Sequence, residues 1–213
     1  MKLQNELTEF AEHYDLSSAQ IESFETYVQL LLSWNKRTNL ISRNDTHRIV
    51  ERHLFESLVF LSSPALQAEK LRLLDVGTGA GLPGIPLAIV RPQWAFVLLD
   101  SRKIKTLFLR DVVNQLRLEL VAVVCERAES YQSPHLFDVV TARAVARLPK
   151  LLDYALPVLE KNGALVALKG GDLNDELALA KTEYGVAVEA DVVSEKDDRV
   201  LLTVRQVSGE DVE

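Results

Sequence analysis

Three glycines at alternate positions form the segment of this chain whose spacing best matches a binding site. An apolar run ends at Asp75, and Gly77, Gly79 and Gly81 follow it. Glycine permits the positive φ angles of a tight turn from strand to helix, and it leaves main-chain N–H groups open to a ligand. The spacing therefore predicts a ligand-binding loop between a strand and a helix, with a carboxylate beside it.

The same loop does not fit the dinucleotide fingerprint, which needs glycines at the first, third and sixth places. Leu82 stands at the sixth place counted from Gly77, so NAD is disfavoured. The order acid-x-Gly-x-Gly-x-Gly instead resembles the first motif of S-adenosylmethionine methyltransferases. There, the carboxylate of Asp75 would hold the ammonium group of the cofactor directly or through water, whereas it would repel a pyrophosphate. We therefore expect S-adenosylmethionine as the cofactor.

Further polar positions follow the next two predicted strands. Asp100 ends the run Ala95–Asp100, at the sheet edge where the ribose hydroxyls of a nucleoside would lie. The stretch Glu126–Glu129 follows the third strand, and we expect it to meet the adenine. An acid would accept the adenine amino hydrogens and Ala128 would offer a backbone N–H. A solvated charged loop is the alternative interpretation of this stretch.

A mostly parallel sheet with intervening helices is needed to bring these positions together. From about residue 64, short apolar runs alternate with helical patterns, as in βαβ units. We expect strands at Leu71–Val76, Ala95–Asp100, Glu119–Cys125, Phe137–Ala142 and Ala164–Lys169, and helices near Gly84–Arg91, Lys103–Leu116, Leu148–Glu160 and Leu173–Tyr184. Val186–Val193 and Val200–Val207, separated by the polar turn Glu195–Asp198, predict a closing antiparallel pair. The predicted fold is α/β, of the Rossmann-like class I methyltransferase type.

The first quarter of the chain has helical periodicity throughout. A third helix is expected to start near Asp45 or Thr46 and to run to about Leu61. The predicted organisation is a helical extension over residues 1–63, a Rossmann-like domain over residues 64–208 and an acidic tail over residues 209–213.

Basic residues are concentrated in a few places, although the net charge of −7 argues against a protein that coats nucleic acid by charge alone. Such residues stand in the extension, after Asp100 and at the end of the fifth strand. We expect phosphate contacts from them, and the alternative is that they solvate helix faces. The RNA-binding candidates are Lys36, Arg43, Arg48, Arg52, Lys103, Lys105 and Lys169.

Cys125 is the only cysteine and lies in an apolar run, so we expect it to be buried. One cysteine allows no disulfide or thiolate cluster within the chain, and it lacks the partner needed for attack on cytosine C5. No uncharged apolar run reaches about 18 residues. We expect a cytoplasmic monomer without a membrane segment or a metal.

Six stretches match the motifs of one family across nearly the whole chain. They are WNKRTNLIS at Trp34–Ser42, RHLFESL at Arg52–Leu58, DVGTGAGLPGIPLAI at Asp75–Ile89, LLDSRKIKTLFL at Leu98–Leu109, RAE at Arg127–Glu129 and FDVVTARAVA at Phe137–Ala146. Together they resemble the ribosomal RNA small-subunit methyltransferase G family, with Glu56 at a position where the family pattern has aspartate. The resemblance implies methylation of guanine N7 in the decoding-region loop of 16S ribosomal RNA, in free RNA or in the small subunit. It also implies cofactor-site positions at Gly77, Leu82, Ala128, Glu129 and Arg143.

Methylation of a ring nitrogen agrees with the side chains present. Guanine N7 carries a free lone pair, so no general base is required and positioning supplies the catalysis. The Asn/Asp-Pro-Pro-aromatic motif of exocyclic-amine methyltransferases is absent after the fourth strand, where Thr141–Ala144 stands. We name no catalytic side chain, although Arg143 could bind the cofactor carboxylate, guanine O6 or a phosphate. A small-molecule methyltransferase and a non-catalytic cofactor-binding regulator remain as alternatives.

Overall fold

Helices and strands alternate along the chain in the computed structural model, which describes residues 2–143, 145–194 and 198–207. The helices are α1 (Lys2–His13), α2 (Ser18–Asn35), α3 (Phe55–Leu58), α4 (Gly84–Val90), α5 (Lys103–Gln115), α6 (Leu148–Ala155) and α7 (Asn174–Tyr184). The strands are β1 (Arg72–Val76), β2 (Ala95–Asp100), β3 (Val121–Cys125), β4 (Phe137–Arg143), β5 (Leu159–Gly170), β6 (Val186–Ser194) and β7 (Arg199–Gln206). Ala144, most of the polar turn before Asp198 and the acidic tail lie outside the described residues.

All seven strands belong to one sheet, in the order β3-β2-β1-β4-β5-β7-β6. The first five pair in parallel, and β7 runs antiparallel between β5 and β6. This confirms the predicted α/β class and the closing antiparallel strands. Strand β1 lies between β2 and β4, so the chain reverses its direction of winding there, and such a switch point is where open α/β sheets bind ligands.

Helices cover both faces of the sheet, which explains why its central strands are continuous apolar runs. One hydrophobic cluster joins α1 and α2 to α4, α5 and the sheet, and Phe10, Tyr27 and Phe108 are fully buried in it. The other cluster lies under α6 and α7 and includes Leu152 and Ala180. The helical extension therefore shares its core with the two helices that flank the glycine loop and Asp100.

Two predicted helices differ from the observed ones. The third helix of the extension consists of a π-helical turn over Ile49–Leu54, the short α3 and a 3-10 turn, instead of one regular helix. Helix α6 was predicted to reach Glu160, but it ends at Ala155, and β5 begins at Leu159. Pro157 has no N–H to continue an α-helix, so the chain passes through a 3-10 turn into the strand.

The predicted burial of Cys125 is wrong. It ends β3, an edge strand, and its side chain is exposed. An edge strand is covered on one side only, which an apolar run does not reveal by itself.

Candidate active site

The glycine loop joins β1 to α4 in a conformation that only glycine adopts readily. Gly77, Gly79 and Gly81 have φ angles of +64°, +62° and +87°. The loop is fixed from two sides. Thr78 N donates to the carbonyl oxygen of Leu99 in β2 at 3.0 Å, and the buried Tyr27 hydroxyl of α2 donates to the carbonyl oxygen of Ala80 at 2.7 Å.

Asp75 holds the two ends of this loop together. Its Oδ2 accepts hydrogen bonds from Thr78 Oγ1 at 2.6 Å and Gly84 N at 2.9 Å, and its Oδ1 accepts one from Thr141 Oγ1 at 3.0 Å. Burial raises the pKa of Asp75 to about 6, against the effect of these bonds. The side chain is completely buried, and its contact with the cofactor ammonium group, directly or through water, stays a prediction.

Asp100 lies at the carboxyl end of β2 and faces a pocket. Its Oδ2 accepts a hydrogen bond from Gly79 N at 3.0 Å, and its Oδ1 accepts one from Arg102 N at 2.8 Å. Lys105 Nζ is 3.5 Å from Oδ2. A carboxylate has about four acceptor positions, so Oδ1 of Asp100 keeps capacity for a hydroxyl donor from a ligand, whereas Oδ2 is shared between Gly79 N and Lys105 Nζ.

The pocket beside Asp100, which we call the nucleoside pocket, has a volume of about 420 Å³. Four of the predicted cofactor residues line it: Gly77, Asp100, Ala128 and Glu129. Its volume is within the usual range for small-molecule sites. Its wall consists of Val76, Gly77, Leu99, Asp100, Ser101, Arg102, Lys105, Glu126, Arg127, Ala128, Glu129, Val145 and Tyr154.

Several predicted cofactor residues are absent from this wall. Gly79 supports it through its bond to Asp100, and Gly81 packs toward Ile85 of α4. Leu82 is only 4% exposed and its side chain belongs to the hydrophobic core, so its part in the cofactor site stays a prediction. Lys105, for which we predict RNA contacts, lines the nucleoside pocket.

Tyr154 is a wall residue that the sequence did not indicate. Its hydroxyl donates to Glu129 Oε1 at 3.0 Å, from α6 to the loop after β3. A hydrogen bond from its own backbone amide, followed by this bond from Tyr154, lowers the pKa of the Glu129 carboxyl. Glu129 is therefore ionised at neutral pH and oriented as an acceptor.

A second pocket, which we call the cationic pocket, lies between the extension and the ends of β4 and β5 and has a volume of about 470 Å³. Arg143 lines this pocket and not the nucleoside pocket, and its contact with the cofactor carboxylate, guanine O6 or a phosphate stays a prediction. Its guanidinium donates to Glu56 Oε2 at 3.2 Å, and Arg199 Nε donates to Glu56 Oε1 at 3.2 Å. Glu56, which stands where the family motif has aspartate, thus connects α3 to β4 and β7.

His53 is the buried histidine of this pocket. The second terminal nitrogen of Arg143 lies 3.1 Å from His53 Nδ1. A guanidinium can only donate, so Nδ1 accepts and the proton of the neutral ring is on Nε2. Burial, with a further contribution from Arg143, lowers the pKa of His53 to about 4. No local sequence pattern places His53 beside Arg143, because the two residues are 90 positions apart in the chain.

Val145 belongs to the walls of both pockets. It follows β4, and its side chain is 37% exposed. A Cβ added to Gly77 would lie 2.8 Å from Val145 Cγ2. The nucleoside pocket and the cationic pocket therefore meet where the glycine loop and the segment after β4 touch.

The remaining basic candidates differ in their surroundings. Arg52 and Lys169 line the cationic pocket, where Arg52 Nε is 3.7 Å from Asp45 Oδ1 and Lys169 Nζ is 2.9 Å from Glu176 Oε2. Arg48 pairs with Glu51 at 3.0 Å. Exposed side chains are found at Lys36, Arg43 and Lys103.

The described residues give no sign of a metal site or a membrane span, and they enclose a third cavity. Within residues 2–143, 145–194 and 198–207, no three His, Cys, Asp or Glu side chains are grouped as metal ligands would be. No helix in this part of the chain has the length and apolar character needed to cross a bilayer. A larger cavity, of about 600 Å³, lies between the α1–α2 turn and β6, away from both pockets, and it includes Tyr14 and Arg91.

Comparison with known proteins identifies the family. A family model described as rRNA small subunit methyltransferase G matches residues 20–201. Curated relatives named ribosomal RNA small subunit methyltransferase G include one from Desulfitobacterium hafniense, which is 38% identical with 97% of this chain and 90% of the relative covered. Another, from Nitrosococcus oceani, is 42% identical with 81% and 78% covered. A third, from Escherichia coli, is 40% identical with 89% and 91% covered.

Solved structures with low sequence identity share the fold. A precorrin-6y C5,15-methyltransferase from Geobacter metallireducens is 17% identical, with a TM-score of 0.58 over 80% of this chain and 92% of that one. A glycopeptide N-methyltransferase solved with S-adenosylmethionine is 10% identical, with a TM-score of 0.62 over 74% and 88%. These likenesses concern the chain trace and not the substrate.

Proposed function

The chain belongs to the ribosomal RNA small subunit methyltransferase G family, and we propose that its two adjoining pockets perform the reaction of that family. It is an S-adenosylmethionine-dependent methyltransferase that modifies guanine N7 of 16S ribosomal RNA. The observation that carries the assignment of the site is the meeting of the nucleoside pocket and the cationic pocket at Val145. A cofactor in the first pocket and a base in the second would face each other there.

The residues of the nucleoside pocket fit S-adenosylmethionine. Asp100 has acceptor capacity left for the ribose hydroxyls, and Gly77 brings bare backbone to the wall. Ala128 and the ionised Glu129 are placed to meet the adenine. When bound, the cofactor supplies an electrophilic methyl group on a sulfonium. Asp75 contributes indirectly, because it fixes the loop that carries Gly77.

The chain's own contribution to methyl transfer is positioning. Guanine N7 needs no deprotonation at neutral pH, so the pockets have only to hold two reactants in line and to exclude water. Arg143 is held by Glu56 and His53 at the mouth of the cationic pocket. We assign it to the guanine or its phosphate, and we name no general base.

RNA backbone contacts are proposed for the exposed basic residues of the extension and of α5. Lys36, Arg43 and Lys103 are exposed, so their charges are available to phosphates. Arg52 and Lys169 belong to the cationic pocket and would act next to the base. Phosphate contacts of this type add affinity without sequence preference.

The proposal also covers the oligomeric state, the need for a metal and the location of the protein. We propose that it acts as a monomer, because one chain supplies all residues of both pockets, and without a metal, because a ring nitrogen needs no Lewis acid to react. We also propose a cytoplasmic location, because the proposed substrate belongs to the ribosome.

The direct test is to map the nucleotide that the protein modifies. Small subunits and deproteinised 16S ribosomal RNA from cells lacking the enzyme are incubated with cofactor carrying a labelled methyl group. We expect one guanine in the decoding-region loop to gain a methyl group at N7, with the two substrates showing whether assembly is required. Label at another atom, or none in either substrate while the cofactor binds, would overturn the proposal.

A further inference from the structure

One buried polar atom in the cationic pocket has no partner among the described residues. His53 is 6% exposed, and its Nε2 makes no hydrogen bond. The nearest charged group is the carboxylate of Asp45, whose Oδ2 is 3.9 Å away. Because Nδ1 accepts from Arg143, Nε2 carries the proton. A buried donor that stays unpaired is costly, and it is expected where a ligand supplies the missing acceptor.

The groups around this atom favour a neutral ligand with both donors and acceptors. Arg143 and Arg199 are both paired with Glu56, and Lys169 is paired with Glu176. The carboxylate of Asp45 is directly beside the unpaired donor and would repel a phosphate. An N–H donor next to a carboxylate instead matches a carbonyl oxygen next to an N–H group.

Guanine carries that pair on one edge. Its O6 is an acceptor, and the ring N–H and the 2-amino group beside it are two donors that one carboxylate can accept together. Enzymes that modify a base commonly hold it outside the stack and bind this Watson–Crick edge. An adenine offers only its amino group as a donor on the same edge, so it would leave one acceptor of the carboxylate unused.

We propose that Asp45 and His53 read the Watson–Crick edge of the target guanine, Asp45 by accepting from the ring N–H and the 2-amino group and His53 by donating from Nε2 to O6. This inference rests on the proposed function and names the side chains that select the base. Arg143 positions the ring of His53 through Nδ1 and fixes which nitrogen carries the proton.

Nε2 is buried, and Asp45 Oδ2 lies 3.9 Å from it. Asp45 is at the end of the 3-10 turn Arg43–Asp45, its side chain is 22% exposed, and Arg52 Nε is 3.7 Å from its Oδ1, beyond hydrogen-bonding distance. A guanine would reach Nε2 if that side chain changed its rotamer, and this change would not displace a helix.

The test uses small subunits reconstituted with ribosomal RNA that has either guanine or inosine at the target position. Inosine keeps N7, O6 and the ring N–H but lacks the 2-amino group. Loss of one hydrogen bond to a charged acceptor predicts a fall in kcat/KM of about 10- to 150-fold for the wild-type protein. Asp45→Asn keeps one acceptor oxygen but loses the charge, so it should methylate guanine more slowly and should distinguish it from inosine much less than the wild-type protein does. Reduced discrimination is a result that a merely structural role would not produce.

Matched variants separate base reading from folding. His53→Gln keeps an acceptor for Arg143 and a donor for O6, so it should retain much more activity than His53→Leu, while both bind the cofactor normally. Glu69→Gln removes the same charge as Asp45→Asn from the exposed segment before β1, at the opposite end of the strands, and should behave as wild type. Equal rates of the wild-type protein on guanine and inosine, or discrimination that is undiminished in Asp45→Asn, would overturn the inference while leaving N7 methylation intact. Absence of wild-type methylation would instead refute the proposed function, and the inference with it.

Discussion

Substitution of one loop glycine provides a quantitative test of the nucleoside pocket. Gly77 has φ +64° and touches Val145, whereas Gly185, which ends α7, has φ +59° and no atom within 4 Å of an added Cβ. Alanine at either position destabilises the folded protein by about 1–2 kcal/mol, because its left-handed backbone conformation is strained. It also stabilises by about 0.4–1 kcal/mol, because it restricts the unfolded chain. Gly185→Ala should therefore lower the free energy of unfolding by about 0.5–1 kcal/mol.

Gly77→Ala should have a larger effect because of its neighbour. The added Cβ would lie 2.8 and 2.9 Å from the two methyl carbons of Val145, well inside the optimum of about 3.5–4.0 Å. Overpacking of this kind costs about 1–3 kcal/mol. Val145 is partly exposed and would move into the pocket that it lines, so the dissociation constant for S-adenosylmethionine should rise at least about tenfold.

Urea unfolding and titration calorimetry with the cofactor measure the two effects separately. Gly185→Ala should leave cofactor affinity unchanged, since its position is remote from both pockets. Addition of Val145→Ala to Gly77→Ala should restore part of the lost stability, because the contacting methyl groups are removed. If Gly77→Ala is no less stable than Gly185→Ala and binds the cofactor normally, the loop does not approach the ligand as argued.

Three more outcomes follow from the two pockets. Asp100→Ala should raise the dissociation constant for S-adenosylmethionine about 10- to 150-fold, because charge-assisted bonds to the ribose are lost. Lys36→Ala combined with Arg43→Ala should reduce the slope of log affinity for RNA against log salt by about one to two units, with cofactor affinity unchanged. His53→Gln should change the pH dependence of stability. Because the pKa of His53 falls to about 4 on folding, its proton prefers the unfolded chain, and the wild-type protein loses up to about 3 kcal/mol between pH 6.5 and 4. The raised pKa of Asp75 has the opposite effect on the free energy of unfolding, because protonation of Asp75 below about pH 6 favours the folded state. The variant, which lacks His53, should therefore be stabilised by acid relative to wild type.

Each of these outcomes has a control elsewhere in the chain. Glu119→Ala removes an exposed acid just before β3, at the end of the strands opposite to Asp100, and should not affect cofactor binding. Lys161→Ala with Lys181→Ala removes the same charge as the double variant of the extension, from exposed positions outside both pockets. A salt slope that falls equally in both double variants would show a general charge effect and no defined phosphate contacts. Parallel stability curves for wild type and His53→Gln between pH 6.5 and 4 would show that His53 titrates normally.

The sequence predicts those parts of the site that depend on local spacing. The strand, the three glycines and the start of α4 are adjacent in the chain, so the loop follows from residue types alone. Asp100 could be placed because the carboxyl ends of parallel strands share one edge of the sheet. The role of Asp75 could not be predicted, because its burial depends on Thr141 of β4, which is 66 residues away. A carboxylate beside a glycine loop has the same sequence pattern whether it faces the ligand or the core.

The cationic pocket was missed for a related reason. Arg143 and Glu56 are 87 residues apart, and Glu56 and Arg199 are 143 residues apart, so no window of sequence contains the network. The local signal was a basic stretch in the extension, which predicts phosphate contacts. Two of its residues, Arg48 and Arg52, lie beside the acids Glu51 and Asp45 in the structure. A charge count along the chain cannot separate a cation that faces solvent from one that orients a neighbour inside a pocket.

The structure also changes the role of the helical extension, which sequence periodicity describes only as a preceding unit. Tyr27 of α2 holds the carbonyl oxygen of Ala80 in the glycine loop, and Trp34 Nε1 donates to Asp111 Oδ2 of α5 at 2.8 Å. His53 and Glu56 hold Arg143 at the end of β4. The extension therefore contacts the glycine loop, the helix after Asp100 and the pocket proposed for the base. Because one set of helices contacts the walls of both pockets, the relative position of the two pockets depends on how the extension packs against the sheet.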